Sequence, residues 1–130
     1  MADKAILLIS THLQMRQTCA SALAQAGYVV HQAGTADQAV AAFSAHRPDA
    51  LLLYLPRTGT FGLQVLWKLH GQVNTEGTLV FVVSEMPLPQ NTSDEARTLG
   101  AQVVALDGRG PEFVVQQVQK NLASVEDEEV

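Results

Sequence analysis

At 130 residues, 47% hydrophobic and 16% charged, the chain has the composition of one globular domain that buries roughly two thirds of its unfolded surface. No apolar run approaches the ~20 residues of a membrane span, and a single cysteine, Cys19, excludes an internal disulfide framework and a thiolate metal cluster. The net charge of -5 owes much to Glu126, Asp127, Glu128 and Glu129, four of the 13 acids, so the body is near neutral and has no basic stripe for nucleic acid.

Taken in order, strand and helix signals alternate. The opening MADKAILLIS leads straight into a strand at Lys4–Ser10, with neither signal peptide nor anchor, so a cytoplasmic location is expected. Met15, Cys19, Ala22, Leu23 and Ala26 recur at three- and four-residue steps and predict a helix over Leu13–Ala26, stopped by Gly27. Tyr28–Gln32 reads as the second strand. Thr35, with Gln38 three residues on, has the pattern of a capping box, and Ala39, Val40 and Phe43 give the second helix its buried face before Pro48.

The central stretch is Pro48–Leu63. Ala50–Leu53 is an unbroken apolar run ending at Tyr54, after which Pro56, Gly59 and Gly62 break the backbone. Such a run, bounded by turn residues, reads as a strand buried on both faces. A third helix is expected over Gly62–His70, a fourth strand over Thr78–Ser84, an irregular connection at Glu85–Gln90 and a short polar helix over Thr92–Leu99. Ala101–Leu106 gives the fifth strand. Pro111–Leu122 gives the last helix, with Pro in its first turn, so residues 1–123 form the domain and the acidic residues 124–130 are expected as a disordered tail.

Five strands, each followed by a helix, predict an α/β fold with a single doubly wound parallel sheet, flavodoxin-like (βα)5, in the order 2-1-3-4-5. In such sheets the working crevice lies beyond the carboxyl ends of the strands, between the first and third. Ser10, Thr11 and Tyr54 should meet there, with Ser84 and Asp107 on the same rim.

At these residues the chain resembles the receiver domain of bacterial two-component response regulators, over residues 4 to 123. Ile6–Arg16 is similar to the family's first strand, acidic pair and helix start, and Pro48–Leu55 to its third strand. Gly62-Leu63 resembles the Gly-Leu that opens the third helix, Ser84 falls on the hydroxyl position of the fourth strand, and Leu99-Gly100-Ala101 on the turn before the fifth. The resemblance implies a phosphorylation site of two acids for Mg²⁺, an acceptor aspartate, a hydroxyl and a lysine. At those positions this chain has Ser10 and Thr11, Tyr54, Ser84 and Asp107, with Gly108 where a proline follows the lysine and Val104 at the switch-aromatic position. It therefore implies a degenerate, or pseudo-, receiver.

The residue chemistry agrees with that. Mg²⁺ wants oxygen ligands that include carboxylates, and Ser10 and Thr11 offer neutral hydroxyls. Asp49 stands at the wrong end of its strand, about five residues or ~16 Å from Tyr54. An ordinary phenol, with a pKa of about 10, is a poor nucleophile at neutral pH. Two arrangements stay open for the pocket: a charge-assisted hydrogen bond from Tyr54 to Asp107, or a Tyr54 ring plugging the space with Asp107 turned to solvent. Ser10, Thr11 and Ser84 read as hydroxyls that bond the local backbone before they read as an anion site. Arg16 decorates the first helix or pairs with a nearby acid. His12, His31, His46 and His70 lack metal-ligand spacing, and no metal or cofactor is expected.

Three function classes follow. The leading one is a signalling module, not an enzyme, that works without aspartyl phosphorylation through contact with another signalling protein, an output domain or a second copy, with no nucleic acid or membrane as partner. The resemblance places that surface on Gln90–Leu99, Val103–Leu106 and Phe113–Leu122, and the candidate contacts are Val104, Phe113 and Gln117. Trp67 joins them because it lies off the apolar stripe of its helix, exposed or partly covered by a neighbouring loop. The second class, a residual phosphorelay receiver, conflicts with Tyr54. The third is a flavodoxin-like module holding a flavin or nucleotide phosphate at Ser10-Thr11, against which the run SerThrHisLeuGlnMet lacks the glycine and repeated hydroxyls of a phosphate cradle.

Overall fold

A computed structural model describes residues 4–10, 12–55, 60–72, 78–85 and 89–129, with side chains left aside at 55, 60–64 and 122–129. The elements run β1 (Ala5–Ile9), α1 (Leu13–Gln25), β2 (Val29–Ala33), α2 (Ala36–His46), β3 (Ala50–Leu55), α3 (Thr60–Gln72), β4 (Leu79–Ser84), α4 (Gln90–Thr98), β5 (Ala101–Ala105) and α5 (Pro111–Glu129). The strands form one sheet in the order β2-β1-β3-β4-β5, with every neighbouring pair parallel. This is the expected flavodoxin-like topology.

The unbroken apolar runs explain why the sheet is buried on both faces. Alternation along each strand sends Leu7, Ile9, Leu51, Leu53, Val80 and Val82 to the layer made by α2, α3 and α4. Ile6, Leu8, Leu52, Phe81 and Val83 go to the layer made by α1 and α5. Tyr54 shares the parity of Leu52 and so enters the α1–α5 layer.

Local chemistry sets the helix ends. Thr35 caps α2, its hydroxyl accepting from the Gln38 N–H at 3.1 Å, while the Gln38 side chain accepts from the Gly34 N–H at 2.8 Å. The expected capping box therefore forms with its return bond one residue upstream. His12 caps α1 through Nδ1, which accepts from the Met15 N–H at 3.3 Å. Arg47, in the left-handed region at φ 47, closes α2 through an N–H that donates to the Phe43 carbonyl.

Register fixes which residues share an end of the sheet. Ile9 lies beside Leu53, Leu55 beside Ser84, and Ser84 beside Ala105, so Ser10, Tyr54, Ser84 and Asp107 all lie toward the carboxyl edge. Asp49 is fixed at the opposite edge: its carboxylate accepts from the Ala5 N–H at 2.8 Å and its own N–H donates to the Ala5 carbonyl.

Helix boundaries differ from the sequence reading in α3, which runs Thr60–Gln72 instead of Gly62–His70, and in α4 and α5. Helix α4 begins at Gln90 instead of Thr92, because Pro89 supplies the extended residue that precedes a helix. Helix α5 does not stop at Leu122. Its backbone continues to Glu129, through the residues expected as a disordered tail, and no Gly or Pro interrupts that stretch.

Candidate functional site at the carboxyl edge of the sheet

Ser10 ends β1 almost fully buried. Its hydroxyl accepts from the His12 N–H at 3.2 Å, so it serves the local backbone, as strand-end serines do. Its carbonyl is held by Arg16, whose terminal nitrogen donates at 3.0 Å while Nε donates to the Gln32 side chain at 3.3 Å. Arg16 thus ties α1 to the ends of β1 and β2, a role that the choice between decoration and an acid partner did not include. Gly34 makes room for it: a Cβ there would collide with the guanidinium. Thr11 lies outside the described residues.

Tyr54 is 1% exposed and belongs to one buried cluster with Val83, Leu106 and the α1 residues Cys19, Ala20 and Leu23. Its hydroxyl is buried without a hydrogen-bond partner among the described residues. Burial, with the Cys19 thiol and the Glu85 carboxylate adding to it, pushes the phenol up to about 12. Such a group keeps its proton across the physiological range and is no nucleophile there. Burial also raises the Cys19 thiol to about 11, which leaves it inert.

The proposed Tyr54–Asp107 bond does not form. The reason lies in the backbone: Asp107 at φ 50 and Gly108 at φ 87 are consecutive left-handed residues, and the Arg109 N–H donates to the Leu106 carbonyl at 3.0 Å. Those are the signs and the bond of a type I′ turn, for which Asp-Gly is a preferred pair. The turn leaves Asp107 exposed. Of the two arrangements open from sequence, the ring fills the space and the acid faces water.

Ser84 is buried at the end of β4, and its carbonyl accepts from the Leu106 N–H. Glu85 follows it, half-buried, with its carbonyl accepting from the Asp107 N–H at 2.9 Å. These groups do not fit the Mg²⁺ of a receiver site. The Ser10 hydroxyl is committed to a backbone N–H, the phenol stays protonated, and among the described residues no three His, Cys, Asp or Glu side chains cluster as ligands.

Beside Tyr54 lies a cavity of about 320 Å³, walled by Met15, Thr18 and Cys19 of α1, Leu106, and the turn Gly108–Pro111, with Glu85 at one side. Sequence reasoning missed it, because a cavity depends on how side chains of four separate elements fail to meet. It also missed the stacking of His31 on His46, rings 3.7 Å apart and 9° from parallel. Burial, then the neighbouring His46, lowers the His31 pKa.

The candidate contact residues fall into two groups. Val104 and Phe113 are half-buried against the α1–α5 core, and Arg109 folds over the Phe113 ring at 3.9 Å. Gln117 is half-buried one turn further along α5. Trp67 stands apart on α3, in the other layer, half exposed, its indole N–H donating to Glu95 of α4. It is therefore both exposed and tethered.

Comparison with solved structures places this architecture. A CheY-like response regulator receiver domain protein from Methanospirillum hungatei JF-1 superposes with a TM-score of 0.81 at 20% identity, covering 98% of this chain and 99% of its own. The chemotaxis protein CheY4 of Vibrio cholerae matches with a TM-score of 0.78 at 19% identity over 92% and 98%. A Burkholderia pseudomallei response regulator, solved with a phosphorylated aspartic acid, calcium ion and citrate, gives 0.73 at 23% over 98% and 74%. The chain has the fold of CheY-like receiver domains. No protein-family model and no curated protein sequence matches it. Among the described residues, no helix is long and apolar enough to cross a membrane.

Proposed function

We propose that the chain is a degenerate receiver, a signalling module that works without aspartyl phosphorylation and passes its message through contact with another protein. The observation that carries this reading is Tyr54. At the end of β3, where the receiver resemblance expects the acceptor aspartate, the chain has a buried, protonated phenol, and the groups around it do not form a divalent-cation site. The Burkholderia protein with a phosphorylated aspartic acid marks the contrast. A phosphoryl group here would lack an acceptor carboxylate, a metal to neutralise it and a lysine to pair with.

The face of β5 and α5 supports the contact role through half-buried Val104, Phe113 and Gln117, the mixture of apolar and polar side chains common at partner surfaces. The partner is another signalling protein, an output domain or a second copy, met in the cytoplasm. The test is incubation with radiolabelled acetyl phosphate and Mg²⁺, alongside co-precipitation from extract of the source cells. The expected result is no acyl-phosphate label, with partner capture equal with and without phosphodonor and lost in Phe113→Glu. Stable label on an aspartate, or capture that requires the phosphodonor, overturns the reading.

A further inference from the structure

Strand β2 ends the sheet, with β1 on one side and an open edge on the other. The Val29 N–H donates to the Lys4 carbonyl and the Ala33 carbonyl accepts from the Ser10 N–H, so the odd-numbered residues of β2 turn their backbone groups to β1. The even-numbered ones turn theirs outward. At the two ends of that outward series the N–H groups are engaged, Tyr28 with the Leu23 carbonyl and Gly34 with the Gln38 side chain. Among the described residues, that leaves the backbone groups of Val30 and Gln32 facing the open edge, one on each side of His31.

Native sheets guard such edges with charged side chains or proline, and β2, with the sequence VVHQA, has neither. From Ala5 to His46 the only formally charged residues are Arg16 and Asp37. Both are engaged, Arg16 with the Ser10 carbonyl and the Gln32 side chain, and Asp37 with Lys68 of α3. Beside β2, exposed Gln17, Ser21 and Ala24 of α1 line an open groove with Val30 and Gln32. The other terminal strand, β5, is followed and preceded by helices that carry Asp94, Glu95, Arg97, Glu112 and Lys120. In a chain of net charge -5, the β2 edge therefore lets two copies approach without setting like charges against each other.

We propose that the β2 edge docks a second copy of this chain, the two β2 strands pairing antiparallel about a two-fold axis at His31. The edge is self-complementary in that register. Val30 exchanges both backbone bonds with Gln32 of the second copy, Gln32 does the same with Val30, and His31 meets its own counterpart on the axis. His31 stays neutral there at neutral pH, since burial and then His46, stacked on it with rings 3.7 Å apart, lower its pKa. Val29, 43% exposed, comes to lie opposite Ala33 of the second copy. The axis stands normal to the sheet, so the two α1 helices run antiparallel on one face and close the groove of Gln17, Ser21 and Ala24. This pairing is independent of the β5–α5 contact role, because β2 and β5 are opposite edges of the sheet and the β5–α5 face stays open in the dimer.

Sedimentation equilibrium of the full chain, from micromolar to millimolar concentration, tests the pairing, and a monomer–dimer equilibrium is the expected result. Ser21→Glu sets carboxylates of the two copies against each other on an exposed helix position that accepts Glu, and should weaken the dimer at least about tenfold. Ser21→Lys should do the same, and mixing the two variants should restore a dimer. Gln117→Lys, on the opposite edge, should leave the native dimer unchanged, which separates this pairing from the β5–α5 contact. Hydrogen exchange on the native chain needs no variant: the Val30 and Gln32 amides should slow as concentration rises. A chain that stays monomeric throughout, a dimer lost in Gln117→Lys but kept in Ser21→Glu, or Val30 and Gln32 amides that exchange alike at every concentration each overturns the proposal. Slowing of those amides only on addition of cell extract also overturns it, and assigns the edge to a strand of another protein.

Discussion

The two layers that cover the sheet are packed from similar residues to different ends. On the α2–α3–α4 side an apolar cluster runs from Leu7 and Phe43 through Leu69 to Leu99, and Thr92 and Ser93 are the buried polar residues of α4. On the α1–α5 side the core includes a thiol and a phenol, and beside them the packing opens into a cavity. The α1–α5 layer lies beside the crevice where α/β folds keep their chemistry. In this chain that crevice holds the Tyr54 ring, whose hydroxyl has no hydrogen-bond partner among the described residues.

The largest test of that contrast is truncation in each layer. Leu69→Ala removes a fully buried side chain from the closed layer and should cost about 3–4 kcal/mol in urea unfolding, within the range for buried leucines. Leu106→Ala, at the cavity wall, should cost nearer 2 kcal/mol, because that side chain already lacks neighbours on one side. Equal losses would break the comparison.

Alkaline pH probes the open layer by itself. Tyr54 is pushed up to about 12 from an ordinary 10.0, and Cys19 to about 11 from 9.0. Between pH 9 and 12 the unfolded chain releases these protons before the folded one does, so stability present below pH 9 is lost as pH rises, by up to about 2–3 kcal/mol for each group. Unfolding at pH 8 and pH 11 measures it. Tyr54→Phe should flatten the Tyr54 part of the slope, and a slope unchanged in that variant would place the titration elsewhere.

Arg16→Ala should cost about 1–2 kcal/mol by releasing the Ser10 carbonyl and the Gln32 side chain from their shared donor. Hydrogen exchange at the β1 and β2 ends should quicken with it. The smallest expected change is a gain. Tyr54→Phe at pH 7 removes an unpartnered hydroxyl and should stabilise the chain by about 1 kcal/mol. A loss of comparable size would mean that the hydroxyl has a partner in solution.

Much of this was legible in the residues. The strand order followed from five apolar runs with helical spacing between them, because burial on both faces leaves few ways to wind a parallel sheet. Tyr54 was placed at the crevice from the end of its run, and Thr35 with Gln38 gave the start of α2. What the sequence left open was decided by geometry between distant parts. Asp107 turned outward because Asp-Gly forms a left-handed turn, a local signal that was present but read as charge. Arg16 found a carbonyl and an amide instead of an acid, and the His31–His46 stack joins two elements with no common pattern. The extension of α5 to Glu129 shows that acidic composition alone does not end a helix.

The most direct test of the central claim is titration of the native chain with Mg²⁺ and beryllofluoride, an acyl-phosphate mimic that needs both a carboxylate and a metal site. It is read at the amides of Ser10, Tyr54, Ser84 and Asp107. The account predicts no saturable shift at any of the four. Saturable, Mg²⁺-dependent shifts at these residues would contradict it, since they would mean that the crevice still holds a cation and an acceptor.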